Sequence, residues 1–436
     1  MTELRKGEKL SHSPRPASFL FVLLALSLLL VRCSSQQSAS QQMSYVLGKE
    51  FLLQPDFRVY QSEEDTSELY FKVGTQRLLY TRQNKDDAFT ARLKVNVDAL
   101  FSVGDKIPFF QDSSLFTDRD NNQSAKELIG RMKVVHPPGR DFILRVSLTD
   151  INRNITETRL LRSLVSGEAS ERQGFMLFDA RTEAPLVGKT VQDADTLLVK
   201  YRDSAVDMLY CHFLQSKSGI ARPPFDAAEE PKEDFEVGAR LDLPVRDGYA
   251  RLPISRGRGL YFIHADSAST TGCSLFQFEE GFPSISMASQ LVGPIRYLSS
   301  NEEFAKITQS TNIKIAAEQF WIDRCGGKER AKEVIKSFYN RVENANSFFT
   351  SSKEGWKTDR GMIYIIFGAP DAVYAKENSE TWVYGQDANV LSLNFSFSRR
   401  DNPFSENDFV LQRSQAYRNF WYTALEFWRS GQIFSL

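Results

Sequence analysis

The sequence predicts an α+β multidomain chain, with two N-terminal β-sandwich-like domains followed by a helix-led α+β domain. Three observations lead to this. At 436 residues the chain exceeds what one hydrophobic core usually organises. Short strand-like runs recur through the first two-thirds, some with apolar and polar residues alternating at period two, as expected of strands with one face in a core. Near Ser300 the apolar spacing becomes that of a helix. With 42% hydrophobic and 25% charged residues, the chain has the material for sizeable cores, and disordered or multi-span membrane classes are excluded. The 33 Phe and 15 Tyr suit half-buried strands. Basic residues number 54 against 55 acidic, so no net field draws the chain to a phosphate backbone, and nucleic acid is not expected as a partner.

The first segment addresses the compartment. Arg5, Lys6, Lys9 and Arg15 lead into an apolar run over 19–31 that is too short for a permanent membrane span, which is the pattern of an export signal. Leu30-Val31-Arg32-Cys33 and the polar 34–42 stretch resemble the lipobox and tether of a bacterial lipoprotein. That resemblance implies a signal peptide over 1–32, a polar tether over 33–44, lipidation at Cys33, and a membrane contact made through the acyl chains. Arg32 occupies a place where a small residue is usual, so cleavage near Ser38-Ala39-Ser40 and an uncleaved signal anchor stay open. The expected place is the cell envelope, lipid-anchored at the outer membrane, and the tether's lack of an acidic cluster favours a periplasm-facing location over surface display. Cys211, Cys273 and Cys325 remain, an odd number; a Cys211–Cys273 disulfide and three buried thiols both stay open.

The first sandwich-like domain is expected over 45–166. Ala91, Leu93, Val95 and Val97 alternate with polar residues, Leu144, Val146 and Leu148 repeat the rhythm, and 67–73 and 78–82 add two strands. A second such domain is expected over 167–295, with strands at 174–179, 196–201, 208–214, 260–264 and 273–278. The stretch 222–236 lacks periodicity and is expected to be an exposed loop. The third domain is expected over 296–436. Ile313, Ala316, Ala317, Phe320 and Trp321 mark one helix; Ala331, Val334, Ile335, Phe338, Val342, Ala345 and Phe349 mark another. The apolar run 362–367 is expected to be a buried strand, followed by strands at 381–384 and 390–397. A closing helix carries Tyr417, Phe420, Trp421, Ala424, Leu425 and Trp428, with Gly431 as its stop.

Between the helices and the 362–367 run stands Gly355-Trp356-Lys357-Thr358-Asp359-Arg360-Gly361, and Gly368-Ala369-Pro370-Asp371 follows as a turn. These residues, with Glu380-Thr381-Trp382-Val383-Tyr384-Gly385 downstream, resemble the GWxTD domain family from about Glu303 onwards. The resemblance implies a bacterial envelope protein and brings no established activity. Two readings of the motif follow. In the structural one, Gly355 and Gly361 permit unusual angles or close approaches, Trp356 anchors a loop, and Thr358 and Asp359 cap backbone N–H groups or pair with Arg360. In the functional one, Trp356, Asp359 and Arg360 face a partner or ligand, with Trp382 and Tyr384 nearby.

Catalytic motifs fail on inspection. Gly188-Lys189-Thr190 imitates the tail of a phosphate-binding loop, but Glu183 holds the required glycine position, so it is read as a turn. Gly257-Arg258-Gly259 lacks the third glycine of a dinucleotide fingerprint. Asp118, Asp120 and Asn122 have calcium-loop spacing without the glycine or the bidentate Glu. The four histidines show no HExxH spacing, and no GxSxG elbow occurs. No catalytic residue, metal or cofactor is therefore expected. The expected role is a membrane-anchored, non-catalytic docking or accessory subunit in envelope assembly, secretion or transport, with an envelope protein as partner. The alternatives are a hydrolase acting on glycan or peptidoglycan, and a carbohydrate- or peptide-binding module.

Overall fold

A computed structural model describes residues 43–45, 52–120, 126–191, 196–217, 219–228, 233–254, 257–385 and 392–435. Cys33, the leader and the tether up to residue 42 lie outside the described residues. The first strand, β1 (Met43–Tyr45), pairs antiparallel with a strand near the far end of the chain, described below.

The next strands form two facing sheets. One runs β2-β3-β6, from β2 (Asp56–Glu63), β3 (Thr66–Gly74) and β6 (Glu127–Val135); the other runs β5-β4-β7-β8, from β4 (Thr90–Leu100), β5 (Phe110–Arg119), β7 (Phe142–Asp150) and β8 (Ile155–Ser163). The alternating positions Leu93, Val95 and Val97 of β4, with Leu144, Val146 and Leu148 of β7, meet Leu69, Phe71 and Val73 of β3 in one core. This is a β-sandwich. The expected strand at 78–82 is absent, apart from a single bridge between Thr81 and Thr90. Its backbone is spent elsewhere: the Leu79 N–H donates to Asp150 at 2.9 Å, and its carbonyl accepts from Asn152 at 2.8 Å.

The second block is one sheet ordered β15-β14-β11-β12-β13-β10-β9. It comprises β9 (Phe175–Asp179), β10 (Thr196–Tyr201), β11 (Met208–Ser216), β12 (Phe235–Arg246), β13 (Tyr249–Pro253), β14 (Gly259–His264) and β15 (Cys273–Gln277). The long β12 pairs with β11 along most of its length and with β13 at Val245 and Arg246, where the sheet passes from one half to the other. Leu177, Val199 and Leu252 from one half then share a core with Cys211, Ile263 and Leu275 from the other. β12 also claims Phe235 and Glu236, the end of the stretch expected to be loop.

Cys211 and Cys273 sit in this core and Cys325 in the next, all three buried as free thiols. Burial pushes the Cys211 thiol up to about 12, with Cys273 adding to the effect. Under denaturing, non-reducing conditions an alkylating reagent is expected to label Cys211, Cys273 and Cys325 in full. A peptide map that recovered Cys211 linked to Cys273 would contradict this arrangement.

The third block has helices on an antiparallel sheet ordered β1-β16-β17-β18-β19, with β16 (Ala372–Lys376), β17 (Ser379–Tyr384), β18 (Leu393–Arg399) and β19 (Phe409–Leu411). The helices are α1 (Ala288–Ile295), α2 (Asn301–Thr308), α3 (Ile313–Cys325), α4 (Lys328–Phe349), α5 (Asp359–Phe367) and α6 (Tyr417–Arg429). The two helices expected before the motif are α3 and α4; α1 and α2 are additional, and Ser300 with Glu303 starts α2 through a capping box. Gly431, at φ +74°, follows α6 as the expected stop.

One element changes type. The run 362–367 is not a strand but the greater part of α5, all of whose residues are buried. A short apolar run has no polar face to display a period, so buried strand and buried helix read alike in sequence. The decision lies at the ends. Thr358 caps the N-terminus, Asp359 places a negative charge in the first turn, and Gly368 at φ +87° closes the helix. Among the described residues, no helix is long and apolar enough to cross a membrane.

Candidate functional site

The motif is built against α4. A Cβ on Gly355 would lie 1.9 Å from the Ala345 carbonyl oxygen, and one on Gly361 would lie 1.9 Å from the carbonyl oxygen of Gly355. Both glycines therefore serve close main-chain approach. Thr358 ties the two together: its hydroxyl donates to the Gly355 carbonyl at 2.8 Å and accepts from the Gly361 N–H at 3.0 Å. The Trp356 N–H donates to Asn346 of α4 at 3.1 Å, Tyr297 donates to the Trp356 carbonyl at 2.8 Å, and the indole lies against Gly293 of α1. Trp356 is half-buried; it anchors the turn to two helices.

The charged residues of the motif point inward. Asp359 does not pair with Arg360. It takes a forked contact from Arg413, at 2.6 and 3.1 Å, and accepts the Leu411 N–H of β19 at 2.8 Å. Arg360 reaches Glu380 of β17 at 3.2 Å and the Asn407 carbonyl at 2.9 Å, with its guanidinium 4.2 Å from the centre of the Phe409 ring. Glu380 also accepts from the indole of Trp382, which is fully buried between Phe349 and Phe397. Tyr384 is buried and donates to the Gly368 carbonyl at 2.9 Å. Pro370 is buried, while exposed Asp371 accepts the Gly385 N–H at 2.7 Å. The motif thus ties α4 and α5 to β17 and β19. Gly368, Asp371 and Tyr384 also line a cavity of about 600 Å³.

A second feature lies where the three blocks meet. A cavity of about 610 Å³ is walled by β2 and β8 of the sandwich, by 188–190 and Cys273 of the middle block, and by the end of β18 and the 404–409 loop of the last. Glu406 is its hub. That carboxylate binds Arg399 at 3.0 Å, Arg162 at 3.2 Å and also Arg172, drawing charges from different blocks onto one anion. Arg58, nine-tenths buried, donates to the Gly188 carbonyl at 2.6 Å and approaches the Cys273 sulfur at 3.5 Å, meeting no carboxylate in either contact. Burial and the charges of Arg162 and Arg360 bring the Arg399 guanidinium down to about 10.

Lys189 lines the same cavity. Its side chain is exposed to that space. Partial desolvation by the surrounding protein first, then the positive charge of Arg58, draws its ammonium below the usual lysine range, with Arg172 and Arg399 acting in the same sense. The sequence pattern had Gly188-Lys189-Thr190 as a turn, and it is a bend running into a bridge between Thr190 and Phe276. Its lysine nevertheless lines the cavity that Arg58, Arg172 and Arg399 also line. No signal in the chain marks the others: Glu406 stands 244 residues from Arg162 and 234 from Arg172.

With this geometry established, residues 259–430 match the family model of the GWxTD domain, which runs from β14 through α6 and so takes in β16–β19 as well. No curated protein matches the chain.

Proposed function

This is a GWxTD domain-containing chain, and on that footing we propose that it works in a bacterial cell envelope as a lipid-anchored, non-catalytic docking or accessory subunit for assembly, secretion or transport. The observation carrying this reading is the fate of the signature residues. Asp359 and Arg360, whose charges are the motif's best candidates for chemistry, are both buried in internal ion pairs. The motif acts as a fold determinant, so recognition falls to the rest of the body. The basic leader, the 19–31 apolar run and Cys33 supply the export and anchoring half of the proposal. On this reading the anchor is at the outer membrane, with the body facing the periplasm.

The test has two parts. Cells fed a labelled fatty acid are expected to place it on the wild-type chain and not on Cys33→Ser. Affinity purification from native envelopes, read by mass spectrometry, is expected to return the same envelope protein in repeated preparations. Full-length chain recovered from cytosol without label at position 33 would overturn the anchor. Purified complexes with no recurrent envelope protein would overturn the accessory role.

A further inference from the structure

We propose that the cavity between the three blocks is a binding site for a small phosphoryl-bearing ligand, seated against Lys189 and Arg58 and closed by Arg172 and Arg399. The proposal goes beyond the envelope role and does not depend on the anchor.

The cavity has the size of a small-molecule site, since such pockets run to several hundred Å³. Its charge is unbalanced, with ten basic side chains in the lining against six acidic ones, Asp56, Glu127, Asp141, Glu377, Glu380 and Glu406. Arg162, Arg172 and Arg399 share the single carboxylate of Glu406, and Arg360 has Glu380. A purely structural role as inter-block glue accounts for those four. It does not account for Arg58 and Lys189. Arg58 donates to a carbonyl and a sulfur, and the charged groups that act on the Lys189 ammonium, exposed to the cavity, are Arg58, Arg172, Arg399 and the Cys273 thiol. Crowding cations together costs free energy unless an anion is present for part of the time. The depressed pKa of Lys189 expresses that cost, and a bound anion would lift it.

Geometry favours a phosphoryl group over a carboxylate. The cations arrive from different walls: Arg58 from β2, Lys189 from the bend after β9, Arg399 from the end of β18. A tetrahedral oxyanion offers oxygens in all those directions, whereas a planar carboxylate suits one fork from one side. Phe276, Phe348 and Phe404 add apolar wall, which fits a phosphate ester better than the bare ion. The ester comes either from a soluble metabolite or from a lipid headgroup.

The experiment uses the full chain in a neutral detergent with two probes: glycerol 3-phosphate, and micelles doped with phosphatidylglycerol against micelles doped with phosphatidylcholine. Binding is read by calorimetry for wild type, Lys189→Met, Lys189→Arg and Lys332→Met, the last removing an exposed lysine on α4. Lys189→Met is expected to weaken binding by about tenfold or more, as loss of a charge-assisted contact does, with Lys189→Arg and Lys332→Met near wild type. Saturation by glycerol 3-phosphate assigns the site to a soluble ester. Saturation by phosphatidylglycerol micelles alone assigns it to a headgroup.

A measurement on wild type alone covers the case in which Lys189→Met fails to fold. Amine acetylation mapped by mass spectrometry is expected to slow at Lys189, and not at Lys332, when the binding probe is present. Absence of saturable binding by both probes overturns the proposal. So does equal affinity in wild type and folded Lys189→Met, or acetylation of Lys189 that no probe slows.

Discussion

Replacing Asp359 with Ala is expected to cost the C-terminal block about 3–5 kcal/mol, the range for removing one partner of a buried ion pair. Asp359 and Arg413 retain 4% and 6% side-chain exposure, so water does little to compensate the guanidinium left behind. The same substitution removes the acceptor for the Leu411 N–H, which detaches β19 from the start of α5. Tryptophan fluorescence is well placed to measure this. All five tryptophans, Trp321, Trp356, Trp382, Trp421 and Trp428, belong to this block, so a denaturant titration followed by their emission reports on it and not on the sandwiches. An Asp359→Ala chain with an unchanged fluorescence midpoint, but with loss of a captured envelope protein, would move Asp359 from the fold to a recognition surface.

Gly361→Ala is expected to be at least as harmful, although helix propensity alone argues the other way. Gly361 lies in the first turn of α5, where alanine is worth roughly 1 kcal/mol more than glycine. The added Cβ, however, falls 1.9 Å from the Gly355 carbonyl oxygen. The obstacle is main chain, so no side chain can rotate away, and α5 must shift against the turn or the turn against α4. Overpacking costs of about 3 kcal/mol or more therefore outweigh the propensity gain. Gly355→Ala meets the Ala345 carbonyl in the same way and should behave alike. A Gly361→Ala chain whose tryptophan unfolding midpoint rises would show that the turn is loose and that close approach is not what the glycine provides.

The same contacts explain how much of the site was readable beforehand. Thr358 as a cap and the glycines as close-approach residues follow from residue type and from position before an apolar run. The partners of Asp359 and Arg360 do not. Arg360 is the nearest opposite charge to Asp359 in sequence, but adjacent side chains on a helix diverge, and β19 brings Arg413 to the place where Asp359 points. Met362 to Phe367 reads as a strand in sequence for a related reason: enclosure on all sides erases the period that separates helix from strand. The cationic cavity was invisible because near-neutral net charge is an average, and Arg58, Lys189 and Arg399 meet only after three blocks have packed together.

The sequence by itself determined the α+β class, the alternating strands of both β-rich blocks, the amphipathic helices α3, α4 and α6, and the family signature, because periodicity and caps are local properties of the chain. Only the tertiary structure decided that the signature's charges close upon Arg413 and Glu380, that β1 completes the last sheet, and that unbalanced cations converge around one cavity. Those outcomes depend on which distant segments become neighbours, and charge pairing in a poorly solvated interior acts over a few ångströms of space irrespective of separation along the chain.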